Sequence, residues 1–152
     1  MQISLLFGTE TGNAEMLCDE IQAELEADHN VEIANLQDVD PGGLDPARFY
    51  IIVCSTYGEG ELPASALPFL EQIQADKPDL SGLYFSIFGL GDSAYEDTYN
   101  NGSNVLTEAL TTAGAKPVGA RGLHDASSLD TADEIAIPWS KERIAEAAPL
   151  FS

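Results

Sequence analysis

Basic residues are scarce: six Lys and Arg stand against 26 Asp and Glu in 152 residues, a formal net charge of −20 at pH 7. A surface of that sign repels phosphate backbones and anionic headgroups, which excludes nucleic-acid and acidic-membrane binding as primary roles. Cysteine is nearly absent. Cys18 and Cys54 fall in helix-like and strand-like interiors, make no C-x-x-C pair and have no two histidines at zinc spacing, so both read as buried, inert thiols. Long apolar runs are missing too; the stretch Tyr50–Cys54 is far short of the ~20 residues of a membrane span. The chain opens on Met1-Gln2 and then a strand-like run, without the basic and apolar regions of a signal peptide, and a soluble, cytoplasmic protein is expected. Repeats, low-complexity tracts and linkers are also lacking, so one domain over residues 1–152 is expected. A chain of that size buries roughly 68–70% of its unfolded surface and needs no disulfide or metal to hold a core.

The acid is spread along the chain rather than gathered in a tail, so it belongs to a folded surface. Three readings of it stay open: steering toward basic partners, adaptation to high salt, or solubility alone.

Apolar runs alternate with amphipathic stretches from end to end. Ile3–Phe7, Val31–Asn35, Phe49–Cys54, Leu83–Phe88 and Val118–Leu123 read as strands. Ala14–Asp28 places Leu17, Ile21 and Leu25 at i, i+4, i+8 and reads as a helix. Ala66–Asp76, broken by Lys77-Pro78-Asp79, Ser103–Ala113, stopped by Gly114, and Asp130–Ala147, capped by Ser128, Asp130 or Thr131, are the other helices. This alternation predicts an α/β protein, a five-stranded, doubly wound parallel sheet with helices on both faces. Order 2-1-3-4-5 is the common solution, and it puts a ligand at the carboxyl ends of strands 1, 3 and 4.

Those ends carry the informative loops. After strand 1 comes Gly8-Thr-Glu-Thr-Gly-Asn13, with two hydroxyls, a turn glycine and the N–H groups of a following helix. This is either an anion site of neutral donors and a helix dipole, or a plain polar turn with Thr11 as N-cap. It is no Walker loop, since no G-K-[ST] follows and the first lysine is Lys77. After strand 3 comes Ser55-Thr-Tyr-Gly-Glu-Gly60, and after strand 4 Gly89-Leu-Gly-Asp-Ser-Ala-Tyr-Glu-Asp-Thr-Tyr99. Tyr57 and Tyr95, one from each loop, suit the two faces of a flat heterocycle, which favours a planar, phosphorylated ligand over two unrelated surface rings. Gly89-Leu-Gly91-Asp-Ser-Ala94 imitates a dinucleotide fingerprint, but it follows strand 4 rather than strand 1 and no long helix starts at once after it.

Thr9-Glu-Thr-Gly-Asn-Ala-Glu15, Ser55–Gly60 and Gly89–Glu96 together resemble the three FMN loops of short-chain flavodoxins. The resemblance is closest to the flavodoxin-like domains of diflavin reductases and to stand-alone MioC-type flavodoxins, which Asp76–Ser81 and Gly114-Ala-Lys116 also resemble. It covers essentially the whole chain, and no ~20-residue insertion interrupts strand 5, as in the short type. It implies that Thr9, Glu10, Thr11, Gly12, Asn13 and Ala14 hold the FMN phosphate. Tyr95 would stack on the outer face of the ring and Tyr57 on the inner. Ser55, Thr56, Gly58 and Gly60 would form the loop that adjusts to the flavin's redox state, while Gly89, Leu90, Gly91 and Asp92 would follow the ring edge. Asp125 aligns with an acid near the reactive ring nitrogen in the reductase domains, and Tyr99 adds a third candidate ring. Departures from the family pattern are Asn13 and Ala14 in place of hydroxyl residues, Leu62-Pro63-Ala64-Ser65 in place of Pro-x-Asp/Asn-Ala, and Thr98-Tyr99 in place of Phe-Asn or Phe-Cys.

The resemblance implies an electron carrier rather than an enzyme: a low-potential, one-electron shuttle whose FMN carries the chemistry. Glu59, Glu61, Asp92, Glu96, Asp97 and Asp125 would form an acidic rim that docks, transiently and as a monomer, first a flavin-containing NAD(P)H reductase and then a basic-faced acceptor such as a haem-thiolate monooxygenase. An FMN-bound accessory protein without carrier turnover is the alternative. A phospho-receiver module is excluded, because Gly8-Thr9, Ser55-Thr56 and Leu123-His124 stand where it needs acids and a lysine. No metal site is expected; His29 and His124 read as non-ligands and Trp139 as core.

Overall fold

The apolar runs become the strands of a parallel sheet, whose interior members β1 (Gln2–Gly8) and β3 (Phe49–Ser55) are buried along nearly their whole length. The computed structural model describes residues 1–9, 12–55, 63–91, 101–125, 129 and 131–151. Its main strands are β1 (Gln2–Gly8), β2 (Asn30–Asn35), β3 (Phe49–Ser55) and β4 (Tyr84–Gly91). They alternate with α1 (Asn13–Leu25), α2 (Leu67–Asp76), α3 (Asn101–Thr112) and α4 (Ala132–Ala147). The sheet runs β2-β1-β3-β4 and ends in two short pieces parallel to β4, namely β5 (Lys116–Pro117) and β6 (Gly122–Asp125). The predicted strand order holds.

Side-chain alternation divides the core between the two faces. Ile3, Leu5 and Phe7 of β1 and Phe49, Ile51 and Val53 of β3 pack with Leu17, Ile21 and Leu25 of α1 and with Trp139 and Ile144 of α4. Leu6, Tyr50, Ile52 and Cys54 point the other way, onto Phe69 and Ile73 of α2 and Leu106 and Leu110 of α3. The stripe at i, i+4, i+8 on α1 therefore does what its spacing predicts.

Several boundaries differ from the sequence reading; α1, for one, ends at Leu25 rather than Asp28. α1 is capped by Gly12, at φ 93°, rather than by Thr11. The left-handed conformation is one that glycine adopts without penalty. The larger difference is at the edge, where Val118–Leu123 is not one strand. Val118 still pairs, its N–H donating to the Phe85 carbonyl at 2.7 Å and its carbonyl accepting from Ser86 Oγ at 2.8 Å. Gly119 then turns to φ 67° and the Ala120 carbonyl leaves the ladder. It accepts instead from Trp139 Nε1 at 3.1 Å and Arg143 Nη1 at 3.0 Å, both on α4. Pairing resumes at Gly122, opposite Phe88.

Lys77-Pro78 ends α2 as expected, Lys77 taking φ 44° with its N–H on the Ile73 carbonyl. α4 starts two residues later than predicted, with Thr131 at the N-cap; Ser128 and Asp130 lie outside the described residues. Trp139 is buried against Phe88, with ring centroids 5.3 Å apart. Cys18 and Cys54 are buried free thiols; burial pushes Cys54 up to about 12 and, with Asp19 and Glu15 nearby, raises Cys18 as well. Among the described residues, no helix is long and apolar enough to cross a membrane.

Candidate functional site

The register brings the strand ends level. Gly8 of β1 lies opposite Cys54 of β3, which lies opposite Gly89 of β4; one step on, Ser55 faces Leu90, and Gly91 faces Asp125 of β6. α1 leaves this edge toward one face of the sheet and α2 toward the other, so the chain diverges between β1 and β3. That divergence is the switch point at which open α/β sheets bind ligands.

At this point the ends of β1 and α1 are joined by bonds of Thr9 and Gly12. The Thr9 N–H donates to Ser65 Oγ at 2.8 Å, and Thr9 Oγ1 accepts from the Gly12 N–H at 2.7 Å. The Gly12 carbonyl then accepts the Met16 N–H at 3.0 Å, the first bond of the helix. Residues 13–15 precede that bond, so their N–H groups have no intrahelical acceptor and face outward with the positive end of the dipole. Ala14 is fully buried, so it contributes its backbone and anchors the first turn through its methyl group; the Asn13 side chain is exposed. Among the described residues, no atom lies within 4 Å of the position a Gly12 Cβ would occupy. With its oxygen held by Gly12, the Thr9 hydroxyl keeps one proton to donate. These neutral donors fit a phosphate monoester, which a helix N-terminus binds without a cation. Glu15, exposed, is the single acid of the first helical turn and opposes an anion.

Ser55 Oγ donates to the Gly8 carbonyl at 3.3 Å and ties the ends of β1 and β3 together. Gly8 leaves room for this junction, because a Cβ there would come within 2.8 Å of Ala66 Cβ. Gly89, Leu90 and Gly91 extend β4 between β3 and β6, with Leu90 packed against the core. Asp125 ends β6, half-buried beside Gly91.

The structure thus gathers Thr9, Gly12, Asn13, Ala14, Ser55, Gly89, Leu90, Gly91 and Asp125 at one edge of the sheet. Glu10, Thr11, Thr56, Tyr57, Gly58, Gly60, Asp92, Tyr95 and Tyr99 lie outside the described residues, as do Glu59, Glu61, Glu96 and Asp97 of the expected rim. Ser65 stands out in the sequence only as a departure from a pattern; its bond to Thr9 spans 56 residues. His29 sits at the opposite, amino end of the sheet, where burial and then the Met1 amino group lower its pKa. His124 is half-buried opposite Leu90.

The flavodoxin family profile matches residues 5–139. The flavodoxin of a Picosynechococcus strain is 36% identical over 119 residues, which cover 78% of this chain and 69% of that protein. The flavoprotein alpha-component of Bacillus subtilis sulfite reductase [NADPH] is 35% identical over 91% of this chain, but the match spans 22% of its own length. Among solved structures, a cysteine-to-alanine mutant of Pseudomonas aeruginosa flavodoxin superposes with a TM-score of 0.79 at 31% identity, over 96% of this chain and 99% of that one.

Proposed function

The chain belongs to the flavodoxin family, whose members carry FMN and transfer electrons rather than transform substrates, and from that premise we propose a shuttle that takes single electrons from a flavin reductase to a basic-faced acceptor. FMN, when bound, supplies the one-electron chemistry. The observation that carries the reading is the Thr9–Gly12 turn at the switch point, with its helix N-terminus open to an anion.

In this reading the chain forms one unit over 1–152. The N–H groups of residues 13–15 and the Thr9 hydroxyl hold the phosphate, together with Glu10 and Thr11. The absence of lysine from this loop suits a group that is kept and never transferred. Tyr57 and Tyr95 cover the two ring faces, with Tyr99 beside them. Ser55, Thr56, Gly58 and Gly60 shape the loop on the ring edge from β3. Gly89, Leu90, Gly91 and Asp92 shape it from β4, and Asp125 closes it from β6. Aromatic cover excludes water, and the acids Glu59, Glu61, Glu96 and Asp97 make further negative charge on the flavin costly. That favours a low potential. The NADPH in the name of the Bacillus subtilis relative supports an NADPH-linked flavin reductase as donor. A haem-thiolate monooxygenase is an acceptor of the required basic-faced kind, and such exchange suits a monomer in the cytoplasm making brief contacts.

Mass spectrometry of the cofactor released from purified, reconstituted protein should find one FMN per chain. FAD, or no flavin at all, would refute the reading. Tyr95→Ala should weaken FMN binding about 5- to 150-fold, the equivalent of roughly 1–3 kcal/mol of stacking; an unchanged dissociation constant puts that ring elsewhere.

A further inference from the structure

Ser65 lies in the segment between β3 and α2, is only 6% exposed, and precedes a helix that has no side-chain cap. A serine just before a helix ordinarily serves that helix by accepting one of its leading N–H groups. Here the hydroxyl oxygen accepts from Thr9, on the other side of the switch point. The neighbouring Ala66 reinforces the approach, its Cβ filling the space that a Gly8 side chain would need. A bond from the Ala66 N–H to the Pro63 carbonyl at 2.9 Å closes residues 63–66 into a turn, so Ser65 is offered from a fixed backbone. From it the linkage runs in one line: Ser65 Oγ holds the Thr9 amide, Thr9 Oγ1 holds the Gly12 amide, and the Gly12 carbonyl starts α1.

We propose that Ser65 is a positioning residue of the phosphate cradle, fixing the Thr9–Gly12 turn from the β3–α2 segment without touching the ligand. The inference rests on the reading of that turn as the FMN phosphate site. Without the hydroxyl, the Thr9 N–H loses its acceptor, and the turn drifts from the geometry in which its hydroxyl and the helix N–H groups converge. Among the described residues the Ser65 hydroxyl is bonded to the Thr9 amide, at the phosphate end, so its loss should leave the ring contacts intact.

Riboflavin, which is FMN without the phosphate, separates the two ends of the ligand. The dissociation constants of both flavins, measured by fluorescence quenching on the full chain, give a discrimination ratio for wild type, Ser65→Ala and the isosteric, poorly accepting Ser65→Cys. Both variants should bind FMN about 2- to 10-fold more weakly, with riboflavin affinity unchanged. A ratio equal to wild type, or equal losses for the two flavins, overturns the positioning role while leaving the phosphate site in place. A wild-type protein that binds both flavins equally removes the phosphate site itself, and the Ser65 role with it.

Discussion

Gly8 and Gly12 bracket the same turn, yet their substitution should fail for different reasons. At Gly8 the conformation is ordinary and the space is not: a Cβ would press on Ala66 Cβ at 2.8 Å and Leu36 Cδ1 at 3.1 Å. Gly8→Ala should therefore cost about 1–3 kcal/mol through overpacking, and pairing it with Ala66→Gly should recover part of the loss. At Gly12 no atom of the described residues crowds a Cβ, but the conformation is restrictive, φ being 93°. Gly12→Ala should cost about 1–2 kcal/mol through the left-handed backbone alone, and no partner substitution should restore it. Urea unfolding of the singles and the double decides between the two accounts. The thiols make a third case. Burial pushes Cys54 up from 9.0 to about 12, so the folded state favours the protonated form. Its contribution is complete below the ordinary thiol value and is lost as pH rises from there toward 12. At pH 8 iodoacetamide should label neither cysteine until urea unfolds the chain; rapid labelling of native protein would contradict their burial. Buried cysteines and a turn at 9–12 were legible in the sequence, because composition and local spacing carry them. Ser65 was not, since only the fold brings residue 65 to residue 9.

At the scale of elements, the interior strands were legible because a both-face-buried strand is largely apolar, and β1, β3 and β4 are, with Ser4 and Ser86 as polar exceptions inside β1 and β4. The edge was not. Val118–Leu123 contains enough apolar residues to read as a strand, but helix α4 takes over one of its carbonyls. Trp139 and Arg143 both bond the Ala120 oxygen, Arg143 is itself held by Glu146, and its guanidinium lies 6.0 Å from the Trp139 ring. Gly119 and Gly122 admit this helix at close range. A Cβ on Gly122 would sit 2.8 Å from Trp139 Nε1 and would overlap Phe88. Gly122→Ala should thus destabilise by about 1–3 kcal/mol and disturb β6, the strand that carries Asp125. α4 also contains a weakness. Pro138 lies in its interior on the exposed side, where it cannot donate to the Glu134 carbonyl. Pro138→Ala should raise stability by as much as ~3 kcal/mol, read as a higher urea midpoint at unchanged slope; no gain would mean that the helix has already adapted to the kink.

Across the whole molecule, charge is the least balanced term. Arg48, Lys141 and Arg143 are already paired with Glu32, Glu24 and the Glu142/Glu146 pair, and six basic side chains cannot neutralise 26 acidic ones. Where α1 meets α4, slight burial and the charge of Asp133 raise the Glu20 pKa, a sign of acid facing acid. Added sodium chloride should screen this repulsion, and the thermal midpoint should climb by several degrees between 20 mM and 1 M. A midpoint indifferent to salt would show that the folded chain bears its charge without strain. The sign and spread of the charge were evident from composition, but its pairing required the fold. The layering of the sheet has one more consequence, in time. β1 and β3 are hydrogen-bonded on both sides and covered by both helical layers, whereas β2 and the divided β5/β6 edge have a neighbour on one side only. In deuterated water the amide protons of Leu5 and Ile51 should therefore outlast those of β2 and β6, so that the order in which NMR signals fade would retrace the strands from the edges inward.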